Sequence, residues 1–283
     1  QASDMILVDD NFATIERAIE EGRNVYENIR KSVIFLLSSN FGEILTMFVA
    51  VLVGLAAPLK SSHILWINLI TDSLPALALG VDANDRKSLM RSDPRKPGES
   101  LFSRGGLAIT CFYGLLIAGI SLAAFLLLPC VILKAEGSGI TLAGIRGALD
   151  NDAVLTRAQT YDFTVLGISQ LFHAIGMRDV TLSVFSMNHR DNKLMIASLL
   201  FGYALQCAVT RIPFLVSCFG TGRLSGGEWL LLTGLSMVPL VAHELMVLSG
   251  RMLGVVGVSG SGKFRDRLAG FPVLEGKKHH FHG

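Results

Sequence analysis

The sequence predicts an all-α membrane protein with six transmembrane helices and a short cytoplasmic strand–helix stub at its N-terminus. Three observations carry that prediction. Apolar residues fill 51% of the 283 positions and charged residues only 17%, whereas soluble domains carry about 25% charged residues. The apolar residues are gathered into blocks of the length that crosses a bilayer as a helix. The Lys and Arg residues crowd on alternate sides of those blocks, as the positive-inside rule requires.

Residues 1–32 precede the first block. Met5-Ile6-Leu7-Val8 is an apolar run of strand length, and Asp9-Asp10-Asn11 is a turn. From Phe12 the apolar positions recur at helical spacing, with Phe12, Ile15 and Ile19, and then Tyr26, Ile29 and Val33 leading into the first block. This reads as the end of a cytoplasmic domain and a stalk helix, in a fragment cut inside that domain. The opening residues lack the basic stretch and long apolar core of a signal peptide.

The six blocks are residues 33–57, 64–81, 107–133, 161–177, 194–219 and 229–249. They form one membrane domain over residues 33–250. Block 107–133 holds no charge, whereas Asp162, Gln170 and His173 dilute block 161–177. An even number of crossings puts both termini on one side. Arg17, Arg23, Arg30 and Lys31 precede the first block, Arg86 to Arg104 follow the second, Arg178 to Lys193 the fourth, and Arg251 to Lys278 the sixth. Only Lys60, Lys134, Arg146, Arg157, Arg211 and Arg223 fall on the other side. Both termini are therefore expected in the cytoplasm. The lipid bilayer is the expected partner, and nucleic acid is not.

Residues 251–283 read as a flexible basic cytoplasmic tail. Gly257 to Phe264 nearly match the phosphate-binding pattern G-x-x-x-x-G-K-S/T, but Phe264 stands where the Mg²⁺-binding hydroxyl belongs. The 19 residues after it are too few for the fold such a loop needs. Cys111, Cys130, Cys207 and Cys218 show no paired metal-ligand spacing and read as packing thiols. His243-Glu244 lacks the second His of a zinc motif and reads as interfacial.

Two carboxylates stand out. Glu43 lies in the first block and Asp72 in the second, with no Lys or Arg in either block to neutralise them. An acidic side chain at mid-bilayer costs about 2.5–3.5 kcal/mol on insertion scales. Asn40 and Glu43, three residues apart, share a helix face, and so do Asn68, Thr71 and Asp72. Pro75 has no N–H to bond the Thr71 carbonyl, so the helix is expected to loosen there. Gln170 in the fourth block adds another oxygen, with His173 one turn away reading as a packing or hydrogen-bonding residue. An isolated Asn, Thr or Gln in a membrane helix more often bonds a neighbouring helix. Two unpaired carboxylates need a stronger reason, and a hard cation such as Ca²⁺, which takes six to eight oxygens of this mix, supplies it.

These residues carry a family likeness. Residues 2–15 resemble the end of the phosphorylation domain of type-II P-type cation ATPases. Ser38-Ser39-Asn40-Phe41-Gly42-Glu43 resembles the fifth transmembrane helix of the calcium pumps in that family, and Trp66 to Ala76 the sixth. Ser169-Gln170-Leu171-Phe172-His173-Ala174 is similar to the eighth helix of bacterial members. The resemblance implies that the six blocks are helices five to ten of a ten-helix pump. Asn40, Glu43, Asn68, Thr71, Asp72 and Gln170 then fall on cation-ligand positions, with Gln170 where the reticulum pumps carry Glu and the sodium pumps Gln. The family's phosphorylated Asp, in a D-K-T-G-T motif, is not in this sequence, so no catalytic residue is expected here. ATP and Mg²⁺ would act in the actuator, nucleotide-binding and phosphorylation domains, which with the first four helices are the expected partners. The implied function is the transmembrane half of an ATP-driven cation pump in a bacterial plasma membrane, with Ca²⁺ as the cation. Na⁺/K⁺, Mn²⁺ or Mg²⁺ pumping is the alternative within the class, and a passive channel or ion-coupled carrier the alternative outside it.

Overall fold

The computed structural model describes residues 12–84, 86–91, 98–103 and 105–252, and side chains throughout these except at 86–88, 251 and 252. The expected strand at Met5–Val8 and the whole basic tail lie outside the described residues. Among those described, every regular element is helical.

Helix α1 runs unbroken from Phe12 to Leu52, so the stalk and the first apolar block are one rod. One stripe of it, Ser38, Ser39, Gly42, Glu43, Thr46 and Ala50, is buried. The other face exposes Leu37, Phe41, Ile44, Phe48 and Val51. These recur every three or four residues, the pattern of a helix with protein on one side and lipid on the other. The apolar face of the stalk is open, with Phe12, Ile15 and Ile19 all exposed.

The second block is not one plain α-helix. It comprises α2 (Ser61–Trp66), a π-helical stretch (Ile67–Asp72) and α3 (Ser73–Gly80). The loosening expected from Pro75 takes this form, a widened turn just before the proline. Side chains serve the strained carbonyls: Thr71 Oγ1 donates to Ile67 O at 2.9 Å and Ser73 Oγ to Asn68 O at 2.8 Å. After the short α4 (Arg86–Arg91), α5 (Gly106–Ala135) covers the third block entirely. It lies close against α1. A Cβ at Gly42 would stand 2.8 Å from Ile117 Cγ2, and one at Gly114 would strike the Phe41 ring. Small residues at such crossings let membrane helices approach.

Helix α6 (Leu142–Leu149) caps the far end, and α7 (Asp152–Met177) passes through the middle. From Ala158 to Leu171 every residue of α7 is buried. All four apolar clusters among the described residues draw on it, through Ala174, Val165, Ala158 and Phe163 in turn. Its polar residues are explained by that position. A helix wrapped by other helices needs no lipid-facing side, and its hydroxyls and amides find protein partners.

The fifth block divides into α8 (Lys193–Arg211) and α9 (Pro213–Phe219). Ile212 is extended because the residue before a proline avoids the helical region, and Pro213 fits the first turn of a new helix. The sixth comprises α10 (Gly226–Ser236) and α11 (Val238–Met252), parted at Met237 just before Pro239. Among the described residues, four helices are long and apolar enough to cross a membrane: Phe12–Leu52, Gly106–Ala135, Lys193–Arg211 and Gly226–Gly250. The other two expected blocks fall on the interrupted α2–α3 rod and the polar core of α7, where length or apolarity is lost. All four cysteines are free thiols. His243 is buried; its Nε2 bonds Leu182 O at 2.9 Å, while Glu244 accepts the Val184 N–H at 2.6 Å. The pair holds down the segment after α7.

Candidate cation site

The buried stripe of α1, the widened turn before α3 and the middle of α7 meet at Glu43. Glu43 is 4% exposed, Asp72 1%, and Thr71 and Gln170 0%. Asn68 Nδ2 donates to Glu43 Oε2 at 3.2 Å, and Gln170 Nε2 donates to Glu43 Oε1 at 3.0 Å. The Thr71 hydroxyl lies 3.2 Å from Gln170 Oε1. Four of the six sequence-identified residues thus form one hydrogen-bonded chain across three helices.

Asp72 is placed beside that chain but outside it. Neither of its carboxylate oxygens has a hydrogen-bond partner, and Glu43 is close enough for its charge to act on it. No Lys, Arg or His pairs with either carboxylate among the described residues. An ionised Asp72 in that setting lacks the donors that would make burial tolerable. A proton or a cation at the pair would offset that cost.

Asn40 is not brought in. It is half-buried and its Nδ2 donates back to Leu36 O at 2.8 Å on its own helix. His173 behaves as a packing residue. Its Nε2 lies 2.8 Å from Ser38 Oγ, and its ring sits between Phe35 and Tyr113. No three His, Cys, Asp or Glu side chains converge among the described residues. A cation here must take amide, hydroxyl and carbonyl oxygens as well as the two carboxylates, which suits a hard ion rather than a tightly held transition metal.

Sequence reasoning missed two features. Asp162 counted only as a dilution of its block, yet it is a fully buried carboxylate, bonded to Ser121. The second is a polar clasp at the stalk end. Arg178 Nη2 pairs with Asp82 Oδ1 at 2.9 Å, Asn192 Nδ2 reaches the same oxygen at 2.9 Å, and Asn28 Nδ2 donates to Asp82 O at 2.8 Å. Its members lie far apart in sequence, so no local pattern marks it.

Long apolar helices around a polar central helix, with unpaired acids inside, define an integral membrane protein with an oxygen-lined interior. Residues 56–248 match the family model described as cation transporting ATPase, C-terminus, and the chain belongs to that family. It is 45% identical over 248 residues to calcium-transporting ATPase 1 of Bacillus cereus, a match covering 88% of this chain and 27% of that protein. It is 40% identical over 248 residues to the calcium-transporting ATPase of Bacillus subtilis, covering 87% and 26%. Similarity extends to the endoplasmic reticulum-type calcium-transporting ATPase 3 of Arabidopsis thaliana, 29% identical over 280 residues, covering 94% and 27%. The chain spans about a quarter of the length of the curated relatives it matches.

Proposed function

We propose that this chain is the transmembrane cation-binding half of an ATP-driven Ca²⁺ pump. The observation that carries the reading is the burial of Glu43 and Asp72 within electrostatic reach of each other, with no basic partner among the described residues. Two carboxylates match the charge of a divalent ion. The Asn68 and Gln170 amides now point their nitrogens at Glu43. A half-turn of each presents its oxygen instead, so the same side chains serve the empty and the filled site. Asn40, Glu43, Asn68, Thr71, Asp72 and Gln170 are the ligands in this reading, with Asn40 turning inward from Leu36 when the ion arrives. The calcium-pump names of the relatives support the choice of ion.

Six crossings, equivalent to helices five to ten of the parent, follow if the α2–α3 rod and α7 both span the bilayer. Residues 1–32 are then the stalk and the domain end, 33–250 the transport domain and 251–283 a cytoplasmic tail. Both termini face the cytoplasm of a bacterial cell. Cysteines introduced as Ser61→Cys and Ser88→Cys test this with an impermeant thiol reagent on intact cells. Ser61→Cys is expected to label from outside and Ser88→Cys only after lysis, and the reverse would overturn the orientation. The open stalk face of Phe12, Ile15 and Ile19 suits docking by the parent's cytoplasmic domains, where Mg²⁺ and ATP act.

The function itself is tested by ATP-driven uptake of ⁴⁵Ca²⁺ into inverted vesicles bearing the complete pump. Uptake that needs Glu43 is expected, and uptake of another ion with no response to Ca²⁺ would refute the reading. In the same vesicles, Gln170→Glu adds a charge to the site. The Ca²⁺ concentration for half-maximal uptake is expected to shift, with a steeper dependence on pH. An unchanged response at every pH would make Gln170 a packing residue.

A further inference from the structure

The end of the bundle away from the stalk holds a buried amide outside the proposed ligand set. Gln206 of α8 is 0% exposed. Its Oε1 accepts the Trp66 Nε1–H at 3.2 Å, and its Nε2 donates to Phe163 O on α7 at 3.4 Å. An indole nitrogen can only donate and a backbone carbonyl can only accept, so these two partners fix the amide one way round. Gly167 leaves the room for it. A Cβ there would stand 3.2 Å from Gln206 Oε1 and 3.3 Å from its Cδ.

A Gln in a membrane helix commonly bonds a neighbouring helix for cohesion alone. What its two partners carry sets Gln206 apart. Trp66 immediately precedes the π-helical stretch Ile67–Asp72, which bears Asn68, Thr71 and Asp72. Phe163 stands about two turns before Gln170 on α7. One side chain of α8 therefore ties together the two elements that meet Glu43. Ring packing holds the same place: Trp66 meets Phe219 edge-on, with 4.9 Å between centroids, while Ile67, Phe163 and Leu166 share an apolar cluster.

The widened turn needs such a hold. A π-helical turn is rare and stands as a short interruption inside α-helix. Tightening it by one residue would rotate Trp66 and the turn before it by about 100° against the residues after Asp72. Asn68 at one end of the stretch and Asp72 at the other could not then both stay in place. The stalk-side end of the rod is gripped by α1, through Ser32 on Ala76 O and Asn28 on Gly80 O. Gln206 grips the opposite end. We propose that Gln206 is a positioning residue for the cation site: its amide, set between the Trp66 indole and the α7 backbone, keeps the widened turn in the register that presents Asn68, Thr71 and Asp72 to α1 and α7. It touches no ion itself. It acts through Trp66, by keeping the ligand oxygens arranged before the ion arrives.

This role rests on the Ca²⁺ reading of the site, and the experiment keeps the two apart. Gln206→Met, Trp66→Phe and the double variant are made in the complete pump. Phosphorylation from ATP is followed against Ca²⁺ concentration, and phosphorylation from inorganic phosphate without Ca²⁺ reports a folded pump. Each single variant is expected to raise the Ca²⁺ concentration for half-maximal labelling about threefold to tenfold, the range set by one hydrogen bond. The maximal label is expected to hold. The double variant should be little worse than either single one, because both singles break the same bond. An unmoved Ca²⁺ dependence in Gln206→Met would overturn the proposal. So would a lower maximal label at unchanged Ca²⁺ dependence, which is the mark of mere cohesion, or single effects that multiply in the double variant. Should Gln206→Met give no label from inorganic phosphate, Trp66→Phe decides alone, since it removes only the indole donor: a shifted Ca²⁺ dependence supports the role and an unshifted one overturns it. A wild-type pump whose labelling ignores Ca²⁺ would instead overturn the choice of ion, and the same variants are then judged by the same criteria against Mn²⁺ or Na⁺.

Discussion

Asp72→Asn is expected to abolish cation-dependent phosphorylation of the complete pump from ATP, while phosphorylation from inorganic phosphate survives. The substitution is nearly isosteric and sits where no hydrogen bond is lost, since neither Asp72 oxygen has a partner. Burial of a neutral amide is cheaper than burial of a carboxylate at membrane depth, so insertion and folding are expected to hold or improve. Cation binding is another matter. The proposed site has two formal charges to offer a divalent ion, and the variant removes one of them. A neutral amide is a weak substitute as a ligand for a hard ion. In the family resemblance, the reaction with inorganic phosphate proceeds from the cation-free state, so it reports that the remainder of the pump is intact. Both reactions are read by incorporation of ³²P, from ATP with and without Ca²⁺ and from inorganic phosphate without it. Retention of Ca²⁺-dependent labelling at the wild-type Ca²⁺ concentration would remove Asp72 from the site.

How much of this was legible in the sequence depends on what each residue faces. The blocks that became α1 and α5 could be read from composition because one side of each touches lipid, and lipid selects apolar side chains. The block in α7 was the hardest to see for the opposite reason. Its surroundings are protein, so Asp162, Thr164, Ser169 and Gln170 are all accommodated and the apolar signal fades. Pro75 announced a weakened helix correctly, because the missing N–H is a property of one residue. The form the weakening takes, a π-helical turn carrying Asn68, Thr71 and Asp72, depends on packing against α1 and α7 that no local pattern encodes. The acids followed the same division. Glu43 and Asp72 drew notice by their charge in apolar blocks, whereas the position of Asn40, bonded to its own helix, needed coordinates. Asp162 carried the same signal as Glu43 but sat in a block already polar enough to hide it.

The second large effect is expected at the stalk end, where Arg178→Ala should destabilise the molecule more than any exposed substitution. Arg178 and Asp82 are 6% and 3% exposed, and the guanidinium meets the carboxylate through both Nε and Nη2. Removing the Arg side leaves Asp82 buried with only the Asn192 amide to serve it. Breaking a buried pair from one side costs about 3–5 kcal/mol. The cost matters for function because of what the clasp holds. Helix α3 carries Asp72 just before its first residue, while its last turn is gripped by α1. Ser32 Oγ donates to Ala76 O at 2.9 Å, and Asn28 Nδ2 reaches Gly80 O at 3.3 Å and Asp82 O at 2.8 Å. Asn28 and Ser32 belong to the stalk end of α1, and Glu43 lies three turns further along the same rod. A tilt of the stalk is therefore imposed on both ends of the site together, on Glu43 directly and on Asp72 through the eight residues of α3. With Arg178 replaced by Ala, the Asp82 anchor loosens and α3 can slip relative to α1. The thermal midpoint of the complete pump is expected to fall, and the effect on Ca²⁺-dependent phosphorylation should exceed that of any change at Arg157, whose ion pair is more exposed. The double variant Arg178→Met with Asp82→Leu removes both charges and should recover most of the lost stability, since an apolar pair of similar size replaces a buried ion pair at little cost. Recovery of stability without recovery of coupling would assign the clasp a part in transmission. A single Arg178→Ala that costs less than about 1 kcal/mol, the range of a surface pair, would show that the clasp holds nothing.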